Sequence, residues 1–256
     1  MKYINPINTR RISVEMSELL IEDVEKLCEI PAIYEQRTVS ELLRRICKPI
    51  DRPGAVADPR FWSVNERIFV VASYMAATRD DGPDFPVGEK GSGAHFSDYL
   101  LANTDYASDI PFSFEGEALL FSPLLGYQAE IIEALIAGGT YKPTDFSWWC
   151  GAMAACVRGA NDDPLEYTDD ASYETALVGR IAAIRQMPEA KFVGLFHAYL
   201  DATQMGAHLV HAITSSHGVI AAPVSEPKEG GPELAPARFP AHTCISFGAR
   251  RAMGFV

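Results

Sequence analysis

Two histidines near the C-terminal end of the chain have the spacing of a metal-binding helix. His197, Asp201, Gln204, His208 and His211 follow one another at intervals of four, three, four and three residues, so a helix would place them on one stripe. His208 and His211 could then hold a transition metal through their imidazole nitrogens. The stripe lies opposite the apolar side of the same predicted helix, however, and no H-E-x-x-H pattern is present. We therefore predict a solvated face without a metal.

The cysteines offer no second metal centre. Their number is odd and they contain no C-x-x-C pair, which argues against both a disulfide framework and a zinc knuckle. Cys150 and Cys156 are six residues apart, and a helix separates such positions by about 120°, too far for a shared metal. The expected role is packing for all five: Cys28, Cys47, Cys150, Cys156 and Cys244.

An enzyme is the competing interpretation of these residues. An intracellular hydrolase would require either a metal site at His208 and His211 or a cysteine–histidine pair. The second option needs a thiol and an imidazole that meet in the fold, and the candidates are Cys150 or Cys244 with His95 or His242. No G-x-S-x-G sequence is present for a serine nucleophile. The sequence therefore predicts no catalytic residue, no metal and no cofactor.

Two loop sequences are typical of ligand sites without completing a motif. The run from Gly88 to Gly93 has glycines and a lysine but lacks the order G-x-x-x-x-G-K-[ST] of a phosphate loop. Asp80, Asp81 and Asp84 lack the ligand spacing of an EF-hand. We expect an acidic turn within a long irregular loop, residues 79–111, that stays mobile until a partner orders it.

Large aromatic side chains cluster beside the loops, where they could bury area against another protein. Adjacent helical residues point about 100° apart, so we expect Trp149 to join the core and Trp148 to lie near the surface. Core packing is the more common role for such a set, and a protein interface is the alternative. The interface candidates are Phe61, Trp62, Phe85, Phe96, Tyr99 and Trp148.

Hydrophobic periodicity predicts a mostly helical chain with a few strands. The pattern Ser63-x-x-Glu66 is a capping box that predicts a helix over 63–78. Other helices are expected near 18–30, from Thr38 or Ser40 to Pro49, from Ser122-Pro123 to Gly138-Gly139, from Thr144 to Gly159, near 172–185 and near 188–214. Strands are expected at 11–16, within 112–121 and at 218–222. The sequence shows no internal repeat.

These elements predict an α+β fold, predominantly α, with a helical main domain, a few short strands and long irregular loops. Pro49 to Pro59 has the composition of a linker. The predicted domains are a small N-terminal strand-helix-helix unit over residues 1–50 and a mostly helical main domain over residues 60–256. The main domain contains the loop 79–111 and a Pro/Gly-rich segment over 223–241.

The charge distribution argues against two classes of partner. The net charge is −12, and residues 61–190 contain seven basic and twenty acidic side chains. Nucleic acids and anionic membranes both select basic surfaces, so neither is expected as a partner. No apolar run approaches the roughly 20 residues of a membrane span, and no signal peptide is evident at the start. We expect a soluble, intracellular protein.

Five stretches of the sequence carry a family resemblance. They are Asn5-Pro6-x-x-Thr9-Arg10-Arg11, the run from Asp58 to Arg67, Asp81 to Gly88 leading to Phe96-Ser97-Asp98-Tyr99-Leu100, Trp148 to Ala155, and Pro236-Ala237-Arg238-Phe239-Pro240. These stretches resemble a group of tailed-bacteriophage proteins described as baseplate components or tail-assembly chaperones. The motifs are short, are tied to no known chemistry, and together touch most of the chain.

The resemblance implies an assembly role without catalysis. The implied partners are other phage tail or baseplate proteins, and the implied location is the host cytoplasm during assembly or the virion tail. The group offers no catalytic residues that could be carried over to this sequence. Oligomeric state is not implied.

Overall fold

The chain folds into seven α-helices and eight short strands within residues 4–88, 93–225, 233–245 and Ala249, the part that this computed structural model describes. The helices are α1 (Ile21–Cys28), α2 (Glu35–Ile46), α3 (Val64–Thr78), α4 (Gly126–Ala137), α5 (Asp145–Cys156), α6 (Asp170–Arg185) and α7 (Glu189–Met205). The strands are β1 (Ile7–Asn8), β2 (Ser13–Met16), β3 (Cys47–Pro49), β4 (Ile110–Phe114), β5 (Glu117–Phe121), β6 (Val157–Gly159), β7 (His211–Ser215) and β8 (Gly218–Ala222). They form three antiparallel sheets, ordered β1-β2-β3, β4-β5-β6 and β7-β8. The predicted α+β, predominantly α class is confirmed.

Helix starts that depend on short-range capping agree with the sequence. Ser63 Oγ accepts the Glu66 N–H at 3.2 Å and the Glu66 carboxylate accepts the Ser63 N–H at 2.7 Å, which begins α3. The Thr144 hydroxyl accepts the Ser147 N–H at 3.3 Å and begins α5. Each of these helices starts within one residue of the predicted position.

Two other helix starts differ from the predicted positions. Thr38 lies inside α2, and its hydroxyl donates to the Tyr34 carbonyl at 2.7 Å instead of capping the helix. The Ser122 N–H donates to the Cys156 carbonyl at 2.9 Å, so Ser122 belongs to the sheet edge. The helix α4 therefore begins four residues later than Ser122-Pro123 suggested, at Gly126.

The predicted helix over 188–214 ends at Met205. His208 and His211 therefore lie beyond the helix and cannot share its face with His197. Gly206 follows the helix, and a Cβ there would lie 2.7 Å from the Phe121 ring, so packing against β5 requires glycine. The backbone then reverses at Leu209, which has φ of 61°. His208 consequently lies in the turn and His211 begins β7. The five residues do not share a helix face.

Two parts of the chain have the same topology, although the sequence shows no repeat. The order β1-β2-α1-α2-β3-α3 recurs as β4-β5-α4-α5-β6-α6. The strand pairing between Ile7 and Val14 corresponds to that between Phe112 and Leu119, a shift of 105 residues (112 − 7 and 119 − 14). The same register is kept along both hairpins. We name the first unit Ile7–Thr78 and the second unit Ile110–Arg185.

The third strand and the first helix of each unit repeat this correspondence. Met16 pairs with Cys47 in the first unit, and Phe121 pairs with Val157 in the second. At the start of α1 the Leu20 N–H donates to the Asp23 carboxylate, and 105 residues later (125 − 20) the Leu125 N–H donates to the Gln128 side chain. The backbone pairing thus repeats, although the sequence shows no internal repeat. The predicted linker, Pro49 to Pro59, lies inside the first unit.

Two buried clusters form the core. The first combines the sheet and helices of the first unit with residues from the loop 79–111 and from 237–245. The second lies among α4, α5, α6, α7 and the strands β5 and β7. Residues 89–92 of the Gly88–Gly93 motif and residues 226–232 of the Pro/Gly-rich segment lie outside the described residues. The mobility of the loop 79–111 stays a prediction.

Candidate protein interface

Five of the six predicted interface aromatics are buried, and only Phe61 is partly accessible. Trp62 is fully buried and its indole N–H donates to the Val56 carbonyl at 2.6 Å. Phe61 packs against the rings of Tyr127 and Tyr167, each with centroids 5.4 Å away. The aromatic residues beside the loops therefore hold parts of this chain together. The prediction that these side chains form an exposed docking surface is wrong for the buried five: Trp62, Phe85, Phe96, Tyr99 and Trp148.

The aromatic residues of the loop 79–111 are buried because Phe239 packs on them. The rings of Phe85 and Phe96 stack with centroids 5.4 Å apart, and Phe239 meets both edge-on. Tyr99 also contacts Phe239, and its hydroxyl donates to the Ala235 carbonyl at 2.7 Å. Two motifs that lie about 150 residues apart in sequence thus form one aromatic cluster, which fastens the loop to the C-terminal part of the chain.

The two adjacent tryptophans have the opposite orientations from those expected. Trp148 is 4% exposed and lies against Gly218, where a Cβ would be 3.4 Å from its ring. Trp149 is partly exposed and stacks near Phe196, with ring centroids 4.4 Å apart. The hairpin β7-β8 covers the Trp148 side of α5, a contact that helical periodicity could not reveal. Trp149 consequently faces α7 and the solvent.

A different apolar surface is exposed along α5 and α7. Phe146, Val193 and Leu200 are 38%, 44% and 38% exposed. Val193 and Leu200 are two helical turns apart, so they lie on the same outward side of α7. Three partly exposed rings join them. We name this surface the α5/α7 patch, and it comprises Phe146, Trp149, Phe192, Val193, Phe196 and Leu200.

Ring contacts make the α5/α7 patch continuous. Phe146 contacts Phe192 with centroids 5.1 Å apart, and Phe192 stacks on Phe196 at 6.2 Å. The Arg185 guanidinium lies 5.4 Å from the Phe146 ring centroid, and His197 lies beside Phe196. An apolar centre with aromatic rings and an arginine at its edge has the composition of a protein interface. Val193 and Leu200 are seven residues apart and lie beside the predicted apolar side of the helix. This spacing indicates that the apolar surface of α7 is wider than the predicted side.

The prediction of a solvated face is wrong for His208, which is fully buried and pairs with a serine side chain. Its Nε2 lies 3.0 Å from Ser63 Oγ, and its Nδ1 lies 3.0 Å from the Gly206 carbonyl. The carbonyl can only accept, so Nδ1 carries the proton and Nε2 accepts from the Ser63 hydroxyl. Burial lowers the pKa of His208, which keeps the ring neutral. The pair resembles a serine–histidine dyad, but both residues are fully buried, and it ties α3 to the turn before β7.

A cation stacked on an aromatic ring extends this cluster. The Arg11 guanidinium lies 3.8 Å from the Tyr106 ring centroid, and Arg11 Nη1 is 3.3 Å from the Glu66 carboxylate. Tyr106 in turn meets the His208 ring edge-on at 5.4 Å. Arg11 also donates to the Phe61 carbonyl at 2.7 Å. Arg11 and Ser63 therefore hold neighbouring segments of the fold together.

A second buried polar cluster joins α2, α3 and α4. Arg67 is almost fully buried, lies 3.5 Å from the Glu130 carboxylate and donates to the Gln36 carbonyl. The Glu133 carboxylate accepts the backbone N–H of Gln36 at 2.8 Å and that of Arg37 at 3.3 Å, the first amides of α2. Burial raises the pKa of Glu133 to about 7. Glu133 thus binds the start of α2, and Glu130 pairs with the buried Arg67, so two carboxylates of the second unit contact the first unit.

The thiols are poorly suited to nucleophilic chemistry. Burial raises the pKa of Cys150 to about 11 and also raises the pKa of Cys244. A thiol with a raised pKa carries little thiolate near neutral pH, and thiolate is the reactive form. Burial likewise lowers the pKa of His211, which lies in β7. No group of three or more histidine, cysteine, aspartate or glutamate side chains could hold a metal ion within the residues described above.

Comparisons with protein-family models, with curated proteins and with solved structures find no match for this chain. In the part of the chain that the structure describes, no helix has both the length and the apolar character needed to cross a membrane.

Proposed function

We propose that this chain is a non-enzymatic protein of tailed-bacteriophage tail or baseplate assembly, which acts through protein–protein contacts. It would serve either as a virion component or as an assembly chaperone in the host cytoplasm. The partners are other tail or baseplate proteins. The acidic charge of the chain disfavours nucleic acid and anionic membrane surfaces as partners.

The observation that carries this proposal is the α5/α7 patch. It joins three exposed apolar side chains to three partly exposed aromatic rings on one side of the molecule. Contiguous apolar surfaces of this kind mark interaction sites in soluble proteins.

The test is recovery of the other tail proteins with an affinity-tagged copy of this chain expressed beside them. We expect the double variant Val193→Glu, Leu200→Glu to reduce that recovery by about tenfold or more, because buried apolar anchors dominate such interfaces. Its melting temperature should stay close to that of the unmodified protein, since both side chains are exposed. The control is Leu20→Glu, Ile21→Glu, a more exposed apolar pair at the start of α1.

Equal recovery with both double variants, at unchanged melting temperatures, would contradict a role for the patch. Mass spectrometry of purified particles separates the two forms of the proposal. Presence of the chain in mature particles supports a virion component, and its presence only in assembly intermediates supports a chaperone.

A further inference from the structure

A groove in the second unit lies between the sheet β4-β5-β6 and the helices α5, α6 and α7. Its volume is about 240 Å³. The helix α7 has no counterpart in the first unit, and its N-terminal half closes one side of this groove. The apolar lining comprises Phe114, Leu119, Met153, Ala154, Val157, Ala183, Ile184, Met187 and Leu195. This volume is slightly below the usual range for drug-sized ligands and suits one short aliphatic chain or one aromatic ring.

Three cationic side chains line the same groove, in a protein whose net charge is −12. Arg158 is already engaged, since its Nη2 lies 2.8 Å from the Asp109 carboxylate and its Nη1 donates to the Asp162 carbonyl. Lys191 pairs with the Glu115 carboxylate at 3.3 Å. Glu117 is the one carboxylate in the lining. Carboxylates thus already compensate the charges of Arg158 and Lys191, which leaves Arg180 as the third cation of the lining.

Arg180 is the cation of the groove with donor capacity to spare. Its Nη1 donates to the Ala154 carbonyl at 3.1 Å, which fixes the guanidinium over the end of α5. Within residues 4–88, 93–225 and 233–245 it has no carboxylate at ion-pair distance. A guanidinium has five N–H donors and binds carboxylates through two parallel hydrogen bonds. A partly buried arginine fixed in this way is prepared to receive an anion.

We propose that this groove binds a small amphipathic carboxylate, one apolar chain or ring that carries a single carboxylate group. The apolar part lies against Phe114, Val157 and Met187, the partly exposed apolar side chains of the lining, and the carboxylate pairs with Arg180. The inference is independent of the α5/α7 patch, because none of the patch residues lines the groove.

The test uses octanoate as the probe and the full chain with ¹³C-methyl-labelled methionine. Met153 and Met187 line the groove, whereas Met16, Met75 and Met205 lie elsewhere. We expect saturable octanoate-induced shifts at the Met153 and Met187 methyl groups, with the methyl signals of Met16, Met75 and Met205 unchanged. Octanol, which has the same chain without the charge, should bind about tenfold more weakly, and acetate should produce no shift at these methyls.

Three variants locate the site. Arg180→Gln should weaken octanoate binding about tenfold, the loss expected for one charge-assisted hydrogen bond. Ala183→Trp places a large ring in the groove from an exposed helical position and should abolish binding. Arg185→Gln, an identical change on the same helix outside the groove, should leave binding unaltered.

Absence of shifts at millimolar octanoate would overturn the proposal. Equal binding of octanol and octanoate, or equal losses in Arg180→Gln and Arg185→Gln, would also overturn it, because either result removes the role of Arg180. If octanoate fails and a partner-derived apolar side chain is instead found in the groove, the site belongs to a protein interface and the small-molecule assignment is wrong.

Discussion

Gly126 is the residue on which close packing between α3 and α4 depends. A Cβ at this position would lie 1.9 Å from Arg67 Nη1 and 2.9 Å from the Arg60 carbonyl. The first atom belongs to a buried side chain with little room to move, and the second belongs to the backbone. Nothing in the local sequence distinguishes this glycine from others, because its requirement comes from a side chain about sixty residues earlier.

We expect Gly126→Ala to lower the free energy of unfolding by about 3 kcal/mol, since it overpacks the site and displaces Arg67 from Glu130. Gly179→Ala is the matched control, as it lies in the interior of α6 with no atom within 4 Å of the added methyl. That control should stabilise the protein by about 0.5–1 kcal/mol through helix propensity. Urea unfolding measures both changes, and equal effects of the two substitutions would refute the packing argument.

The helix α2 shows how an element of the first unit is fixed by the second. Its first amides donate to Glu133 of α4, and its Ser40 hydroxyl donates to Glu130 of the same helix. A carboxylate at a helix N-terminus accepts unsatisfied amides and interacts favourably with the helix dipole. The start of α2 therefore depends on a contact about 97 residues away in sequence.

This contact predicts a pH dependence of stability. The folded-state pKa of Glu133 is about 7, above the value of 4.5 for an ordinary glutamate, so between these values the folded protein holds a proton that the unfolded chain has released. Its contribution to the free energy of unfolding must fall as pH rises through that window, by up to about 3 kcal/mol in total. Glu133→Gln removes this contribution because the amide does not titrate.

The measurement is urea unfolding of the protein and of Glu133→Gln at intervals from pH 5 to pH 8. The difference, protein minus variant, should decline as pH rises. Comparison at each pH is needed because burial lowers the pKa of His208 and His211, and such groups make stability rise with pH below about 6.5. A difference that stays constant across the range would show that Glu133 does not titrate in this window.

The sequence predicted elements well where local chemistry determines them. The capping box at Ser63 and the cap at Thr144 were sufficient to place α3 and α5, because donor and acceptor are three residues apart. The end of α7 required knowledge of what packs on Gly206, and the start of α4 required the hydrogen bond from the Ser122 N–H to the Cys156 carbonyl at the end of α5. Both errors arose from contacts between distant segments.

The candidate interface was harder to predict than the fold. Large aromatic residues fill a core as readily as they cover an interface, and their types alone do not separate the two roles. Trp148 and Phe85 are interface candidates in the sequence, because neither β7-β8 nor Phe239 can be placed over them from sequence alone. Val193 and Leu200 have aliphatic side chains that are equally common in a core. Their exposure becomes evident only once the packing of α7 is known.

At the scale of the whole molecule, two units of one topology are joined by polar contacts. The helix α4 of the second unit contacts α2 and α3 of the first, and Glu130 is central to this junction. Its carboxylate lies 3.1 Å from Arg60 Nε, 3.5 Å from Arg67 Nη1, and accepts from Ser40. All three partners belong to the first unit. Removal of this side chain should therefore affect the two units unequally.

We expect Glu130→Ala to lower the free energy of unfolding by about 3–5 kcal/mol, because it leaves the Arg67 charge buried without its partner. Hydrogen exchange followed by mass spectrometry should show the largest loss of protection in α2 and α3, with a smaller loss in α6 and α7. Asp170→Asn is the matched control. It removes the other partner of Arg60, but Asp170 is 56% exposed, and such a pair contributes only about 0–1 kcal/mol. A uniform loss of protection in Glu130→Ala would mean that the junction is no weaker than either unit, and that the repeated topology does not correspond to separable units of stability.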